Sequence, residues 1–162
     1  MSRITPCLWF DDQAEEAARF YISVFKNSTI TRISRYGDAG HEIHGQPSGS
    51  VMLVEFILDG HTFSALNGGP VFRFNEAISL VVECDTQEEL DTYWAKLTEG
   101  GDPRAQQCGW LKDKYGVSWQ IVPKIVGRMM TDPDPRRSDR VMSALLKMKK
   151  IDIAALQRAY ER

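Results

Sequence analysis

The sequence is poor in the residues that build disulfide frameworks, metal clusters and membrane spans. Its 162 residues include only three cysteines and three histidines, and the cysteines show no Cys-x-x-Cys spacing. Neither a disulfide framework nor a zinc knuckle is therefore indicated. No run approaches the roughly 20 apolar residues of a transmembrane helix, and no apolar signal-like segment opens the sequence. We expect a cytoplasmic protein with reduced thiols and no membrane partner.

The charge is low overall but unevenly distributed. A formal net charge of −2 gives no general reason to expect nucleic acid as a partner. Residues 1–123 carry 10 Lys and Arg against 17 Asp and Glu, whereas residues 124–162 carry 10 against 5. We expect this basic tail to lie on the acidic body or on a second subunit. The alternative is a weak contact between the tail and nucleic acid or an acidic partner.

An internal repeat dominates the pattern. Residues 12–21 (DQAEEAARFY) recur without a gap as residues 85–94 (DTQEELDTYW), at an offset of 73. In each copy an aspartate, Asp12 or Asp85, is placed to cap the first turn of a helix, and a glutamate three residues later completes a capping box. Apolar residues then recur with helical spacing. The repeat therefore predicts two equivalent helices.

Extended segments rich in β-branched and aromatic residues surround both helices. The predicted strands are residues 4–10, 28–36, 50–58, 61–66, 77–84, 104–111 and 117–122. Asp59-Gly60 predicts a hairpin turn. A second match aligns residues 60–66 with 116–122 at an offset of 56.

These elements predict one α+β domain over residues 1–123. It consists of two tandem βαβββ units, about residues 3–69 and 75–123, which form a curved mixed sheet around a cleft. Residues 124–162 are predicted to form a helical tail, with Ser138 and Asp152 as helix caps.

Several short motifs of the chain are typical of one protein family. They are WFD at 9–11, EEA at 15–17, FY at 20–21, NGGP at 67–70, QCGWLKD at 107–113, GVSWQ at 116–120 and MKKID at 148–152. With the two βαβββ units, they resemble the PhnB-like branch of the vicinal-oxygen-chelate superfamily, which includes glyoxalase I, bleomycin-resistance proteins and extradiol dioxygenases. The resemblance covers about residues 3–123. It implies a homodimer and, by analogy with bleomycin resistance, the binding of a small organic ligand in the cleft.

The branch often carries the name 3-demethylubiquinone-9 3-methyltransferase, but the sequence argues against that reaction. A methyltransferase usually holds S-adenosylmethionine at a Gly-rich turn after the first strand of a doubly wound sheet. Here the first strand runs into Asp11-Asp12-Gln13-Ala14, without a glycine. We therefore predict no cofactor and no genuine methyl transfer.

The resemblance also implies where a divalent metal would bind, because superfamily enzymes use His, Glu or Gln on the first and fourth strands of each unit. The two repeat offsets place these positions at Pro6, Ser64, Ser79 and Gln120. Such a set contains neither imidazole nor carboxylate, which a divalent cation prefers. We predict that no metal site is present.

Strand alternation assigns the side chains to two faces. The apolar residues 7, 9, 63, 65, 80, 82, 119 and 121 are predicted to face the helices. The opposite face then lines the cleft. With a candidate aromatic wall, Trp110, the predicted ligand-binding residues are Pro6, Leu8, Glu55, Ser64, Leu66, Ser79, Val81, Trp110 and Gln120.

Glu55 is the single catalytic candidate, because a cleft-facing carboxylate needs partners or a raised pKa. The histidines of His41-x-x-His44 have no supporting acid and are predicted to lie in a solvated loop. The leading hypothesis is a small-molecule-binding protein. One alternative is a metal-independent lyase or isomerase that uses Glu55, or a metal enzyme whose ligands are displaced by one residue. Another is a regulatory module that acts through the basic tail.

Overall fold

The structure is a computed structural model, and it describes residues 3–162. The chain divides into two compact units, Met1–Phe74 and Asn75–Arg162. Each unit has a mixed sheet of its own, one with four strands and one with three. The predicted α+β class is confirmed. Among the described residues, no helix is long and apolar enough to cross a membrane.

The first unit is a complete βαβββ module. Its elements are β1 (Cys7–Phe10), α1 (Ala14–Val24), β2 (Thr29–Arg35), the short α2 (His41–His44), β3 (Val51–Leu58) and β4 (His61–Asn67). The strand order is β1-β4-β3-β2, with β1 parallel to β4 and the other pairs antiparallel. β3 and β4 form the predicted hairpin, and Asp59 and Gly60 both have positive φ, 45° and 80°, as a tight turn of this kind requires.

Helix α1 covers one face of this sheet. Its small residues allow a close approach, and Tyr21 stacks on Phe56 of β3 with a ring separation of 6.5 Å. The buried residues of the helix are Ala14, Ala17, Ala18, Tyr21 and Val24. Alternate residues of β3 meet them, because side chains alternate between the faces of a strand: Val54, Phe56 and Leu58 are buried.

The first helix is not capped by Asp12 as predicted. Gln13 precedes the helix and provides no side-chain hydrogen bond to it. The backbone N–H of Ala14 donates instead to Oδ1 of Asn67, at 2.8 Å. Because Asn67 ends β4, the start of α1 is fixed by the sheet and not by the residues just before the helix.

The second unit has three strands. Its elements are β5 (Leu80–Cys84), α3 (Gln87–Thr98), β6 (Trp110–Lys112) and β7 (Ser118–Pro123), in the order β5-β7-β6. β5 is parallel to β7, and β6 is antiparallel to it. A 3₁₀ turn, Pro103–Ala105, follows the helix where the first unit has its second strand. The predicted strand at residues 104–111 is thus reduced to the short β6.

The predicted cap of the second helix is shifted by one residue. The Thr86 side chain accepts a hydrogen bond from the Glu89 N–H at 3.2 Å. Oε2 of Glu89 in turn accepts from the N–H of Asp85 at 2.8 Å. This is a reciprocal capping arrangement, so the box exists, but Thr86 and not Asp85 is its N-cap.

The tail forms three helices, α4 (Ile125–Met130), α5 (Pro135–Leu145) and α6 (Ile153–Glu161), and belongs to the second unit. The N–H groups of Cys108 and Gly109 donate to the carbonyls of Met148 and Lys149, both at 2.8 Å. Met129, Val141, Ile151 and Leu156 are buried. Asp152 caps α6 as predicted, whereas α5 is capped by Asp134 and not by Ser138.

Candidate functional site

Each sheet has one face under its helix and one opposite, which we call the far face. In the first unit, Glu55 pairs with Arg32 on β2 and with Ser64 on β4. Ser64 pairs with Cys7 on β1. Partners in register share a face, so Arg32, Glu55, Ser64 and Cys7 form a polar row across all four strands. The Glu55–Ser64 pairing agrees with the sequence prediction.

In a second row of the same face, Ser34 on β2 is followed by three apolar side chains. Leu53 pairs with Leu66, which pairs with Trp9. The Trp9 indole N–H donates to the Gly69 carbonyl at 2.9 Å, and its ring meets that of Phe72 edge-on, with centroids 4.9 Å apart. Leu53, Leu66 and Trp9 therefore form an apolar row that lies about 7 Å from the polar row, since the two rows are two positions apart along each strand.

The predicted faces of β1 are reversed in the structure. Leu8 is only 9% exposed and Phe10 only 3%, so both belong to the core under α1 and Leu8 is not a far-face residue. Cys7 is exposed, and it shares the far face with Trp9. Pro6 precedes β1, and its carbonyl accepts the Ser64 N–H at 3.0 Å.

The cause is the length of the connection between strand and helix. Asp11, Asp12 and Gln13 separate β1 from α1, whereas Asp85 and Thr86 alone separate β5 from α3. The second unit is thus one residue shorter at this connection. A one-residue shift moves every strand side chain to the opposite face, and an ungapped repeat therefore assigns β1 wrongly.

Glu55 forms an ion pair with Arg32. The Nε of Arg32 donates to its Oε2, and the side chains of Arg32 and Glu55 are 70% and 28% exposed, respectively. The hydrogen bond and the negative charge of Glu55 raise the pKa of Arg32. The sequence pattern misses this partner, because a register shift between Ile30 and Arg32 breaks the simple alternation of β2.

The far face of the second unit follows the prediction. Val81 on β5 pairs with Gln120 on β7, which pairs with Trp110 on β6. Nε2 of Gln120 donates to Oγ of Ser79 at 2.8 Å. The structure thus brings Ser79, Val81, Trp110 and Gln120 together on one sheet. The side chains predicted to face the helix include Trp119 and Ile121, which are buried.

Comparisons with known proteins identify the family. The family model described as 3-demethylubiquinone-9 3-methyltransferase matches residues 2–122. A PhnB protein from Bacillus cereus, described under the same name, is 39% identical, and the match covers 75% of this chain and 99% of that one, with a TM-score of 0.63. The chain belongs to this PhnB-like family. The resemblance drawn from the sequence motifs is confirmed.

More distant structures also match the PhnB-like chain. Protein PA1353 from Pseudomonas aeruginosa, which shares the fold, is 19% identical over 76% of this chain and 98% of its own, with a TM-score of 0.57. The fosfomycin resistance protein FosX from Mesorhizobium loti is 16% identical over 75% of this chain and 89% of its own, with a TM-score of 0.49. No curated protein matches the chain.

The side chains of this PhnB-like protein do not fit the divalent metal that the superfamily resemblance implies. Within residues 3–162, no group of three or more His, Cys, Asp or Glu side chains lies close enough to hold a metal ion. In register, the first-strand and fourth-strand positions carry Cys7 with Ser64 in one unit and Val81 with Gln120 in the other. Neither pair contains an imidazole or a carboxylate, and the Gln120 amide already donates to Ser79, so neither pair offers enough ligands for such a cation.

The histidine pair lies in a folded segment. His41 and His44 form the two ends of α2, with ring centroids 5.9 Å apart. Nδ1 of His44 accepts the Gln46 N–H at 2.9 Å, and its Nε2 lies 3.2 Å from the Ala39 carbonyl. The ring packs on Tyr36, at 4.6 Å. Both nitrogens of His44 are therefore engaged with the backbone and not available as metal ligands.

Proposed function

We propose that the far face of each sheet of this PhnB-like protein can bind a small organic molecule and uses no divalent metal to do so. The observation that carries the proposal is the pair of rows on the first sheet. The polar row offers hydrogen-bonding groups beside the apolar surface of Leu53, Leu66 and Trp9, all of them half-buried. Binding sites for small molecules combine such apolar surface with a few placed polar groups.

The second sheet supports the same function with different chemistry. Val81, which is 55% exposed, and Trp110 flank Gln120 in one row. The Gln120 amide is oriented by Ser79, which leaves its carbonyl oxygen as an acceptor. This face therefore supplies apolar contact and hydrogen bonding without charge.

We propose in addition that the family name does not describe the reaction of this chain. A doubly wound sheet holds a nucleotide-like cofactor at a Gly-rich turn after its first strand. Here β1 is followed by Asp11-Asp12-Gln13 before α1 begins at Ala14. Both sheets are mixed and small. These features supply no recognisable place for S-adenosylmethionine.

Binding is tested by a thermal-shift screen of a small-molecule library. Ser64→Trp places a large ring on the first far face, and Gln120→Ala removes the hydrogen-bonding group of the second. Hits should lose their stabilising effect in at least one of these variants. Ser23→Trp, on the exposed side of α1, is the matched control and should keep every hit. Hits that survive both far-face changes would place the site elsewhere and overturn the proposal.

The absence of a metal is tested separately by calorimetry with Mn, Zn, Ni and Fe salts. We expect no stoichiometric heat above that of a nonspecific titration. Stoichiometric binding at micromolar affinity would contradict the metal-free proposal without bearing on the ligand screen.

A second candidate function rests on Glu55, the one carboxylate of the polar row. A metal-independent lyase or isomerase would use it as a base, although Arg32 holds one of its oxygens. Glu55→Gln separates the two functions once a ligand is known. If Glu55→Gln binds the ligand but loses the turnover of the wild type, the result favours an enzyme. If the wild type and the variant bind equally well and neither shows turnover, the result favours binding alone.

We also propose that the chain acts as a homodimer. The support is exposed apolar surface, with Val71 at 71% and Ile78 at 79% exposure. Light scattering coupled to size-exclusion chromatography should give twice the mass of 18.4 kDa. A monomer at tens of micromolar would contradict the assembly but not the binding site. The cytoplasmic location stays a prediction.

A further inference from the structure

We infer that the far face of the first unit selects an uncharged planar ring with a carbonyl beside an N–H group, that is, a cyclic lactam. The inference rests on the proposed small-molecule function and names the chemical class of the ligand. It is carried by the Arg32–Glu55 pair and by the apolar row beside it.

The ion pair leaves donors on Arg32 and an acceptor on Glu55 unpaired. The Nε of Arg32 donates to Oε2 of Glu55. Within residues 3–162, the terminal nitrogens of Arg32 and Oε1 of Glu55 have no hydrogen-bond partner. A lactam edge matches this arrangement, because its carbonyl accepts from an Nη and its N–H donates to Oε1. Both bonds involve charged protein groups, which makes them stronger than neutral ones.

The charge of the site favours a neutral ligand. Arg32 and Glu55 neutralise each other, and Ser64 and Cys7 complete the row without a formal charge. An anion placed here would face the Glu55 carboxylate, and a cation would face the Arg32 guanidinium. Because the Glu55 side chain is only 28% exposed, an unpaired ligand charge beside it would be partly desolvated and costly.

The spacing of the rows favours a fused ring. The distance of about 7 Å between the polar and apolar rows is comparable to the length of a bicyclic heteroaromatic. A ligand whose edge meets Arg32 and Glu55 would lay its ring on Leu53 and Leu66. Trp9 on the neighbouring strand β1 lies at the edge of that surface, and the Phe72 ring contacts the Trp9 ring edge-on. Aromatic side chains favour such ring contacts.

Three probes of one skeleton test the selectivity. 2-Quinolone carries the lactam edge, 2-methoxyquinoline lacks its N–H and carbonyl, and quinoline-2-carboxylate carries a negative charge. Calorimetric titration should show 2-quinolone binding at least tenfold more tightly than either analogue, because a hydrogen-bonding site rejects a ligand that leaves its groups unpaired. Equal affinity of 2-quinolone and 2-methoxyquinoline, or no binding of 2-quinolone, would overturn the inference.

Two variants locate the effect. Glu55→Met should weaken 2-quinolone about tenfold and strengthen quinoline-2-carboxylate, because Arg32 loses its anion and becomes free to bind one. Arg32→Met, on the exposed edge strand β2, should weaken the binding of 2-quinolone and of quinoline-2-carboxylate. The matched control is Glu15→Met, which breaks a similar Arg–Glu pair, with Arg19 at 2.7 Å, on helix α1. It should leave all three affinities unchanged.

The outcomes distinguish this inference from the function on which it rests. If library hits remain sensitive to Ser64→Trp but 2-quinolone does not bind, or binds equally well to the Glu55→Met variant, the lactam assignment is wrong and the binding function stands. If no compound of any class responds to Ser64→Trp or Gln120→Ala, the binding function itself fails. Circular dichroism of each variant confirms that the fold is retained.

Discussion

Replacing Asn67 with alanine should destabilise the first unit by about 2–4 kcal/mol, the sum of a lost helix cap and a lost buried hydrogen bond. This side chain is 6% exposed and joins two distant backbone groups. Its Oδ1 accepts the N–H of Ala14 at 2.8 Å, and its Nδ2 donates to the Val51 carbonyl at 3.1 Å. Loss of a helix cap costs about 1–2 kcal/mol, and loss of the second bond in a buried setting costs about 1–2 kcal/mol more.

Urea unfolding followed by circular dichroism measures the change. Thermal unfolding should show a fall in Tm of roughly 4–16 °C, given about 2–4 °C per kcal/mol for a chain of this size. Hydrogen exchange adds a local readout, because the amides in the first turn of α1 should lose protection first. The matched control is Asn75→Ala. Asn75 is exposed and accepts the Ala77 N–H at 2.9 Å, so its loss should cost about 0.5 kcal/mol or less.

Asn67→Asp separates the two bonds of the side chain. An aspartate keeps the acceptor for Ala14 and places a negative charge at the helix start, which is favourable by about 0.3–1 kcal/mol. It loses the donor to Val51. The expected stability lies between those of the wild type and the alanine variant. If Asn67→Ala costs no more than an ordinary surface substitution, about 0.5 kcal/mol, the long-range cap is refuted. An aspartate as harmful as alanine would show that the Val51 bond dominates.

Three further changes have defined outcomes. Asp113→Ala should lower the free energy of unfolding by about 3–5 kcal/mol and change Trp119 fluorescence. Asp113 is 3% exposed, and its carboxylate accepts the Trp119 indole N–H at 2.8 Å and two backbone N–H groups. A loss below about 1 kcal/mol, the value of a single ordinary hydrogen bond, would contradict this. Burial raises the pKa of Cys84 to about 12, so at pH 8 the exposed Cys7 should react with a thiol reagent far faster, and equal rates would count against the packing. Gly68→Ala should be strongly destabilising, because its Cβ would lie 2.2 Å from an indole carbon of β1; wild-type stability would show that the ring moves away.

The sequence predicts the α+β class and most element positions because helix and strand periods are strong local patterns. It predicts the faces of β3, β4, β5 and β7 for the same reason. It misses the faces of β1. The connection from β1 to its helix is one residue longer than the corresponding connection of the second unit, and this difference changes neither the helix period nor the strand period of the sequence. It misses Arg32 as the partner of Glu55, because the register shift in β2 becomes visible only in the paired sheet.

Contacts that cross long stretches of chain lie beyond local patterns. The NGGP motif at residues 67–70 ends β4, and Gly69 has a positive φ of 90°. Its asparagine, however, caps a helix 53 residues earlier in the chain. Gly68 is required for a different reason, the close approach of Trp9. Neither role follows from turn chemistry, because both depend on β1 and β4 being neighbours.

The uneven charge has a structural explanation within the second unit. Lys124 bonds to Asp85 at 2.8 Å, and Lys150 bonds to Asp91 at 2.7 Å. The bond to Lys150 lowers the pKa of Asp91. Removal of residues 124–162 would therefore expose the apolar surface that the tail covers and leave these carboxylates without their lysines. A tail that acted only as a regulatory device would detach without loss of stability, so the stability of the truncated chain discriminates between the two roles.

The two units share a sequence repeat but differ in the chemistry of their far faces. The first has an ion pair, a hydroxyl and a thiol in one row, whereas the corresponding row of the second consists of Val81, Gln120 and Trp110. We therefore expect a ligand that needs charge-assisted hydrogen bonds to bind the far face of the first unit, whereas the far face of the second offers apolar contact and one amide. Ser64→Trp should consequently cost more affinity than Gln120→Ala for any polar ligand. The reverse order would assign recognition to the second sheet and leave the Arg32–Glu55 pair a purely structural link between β2 and β3.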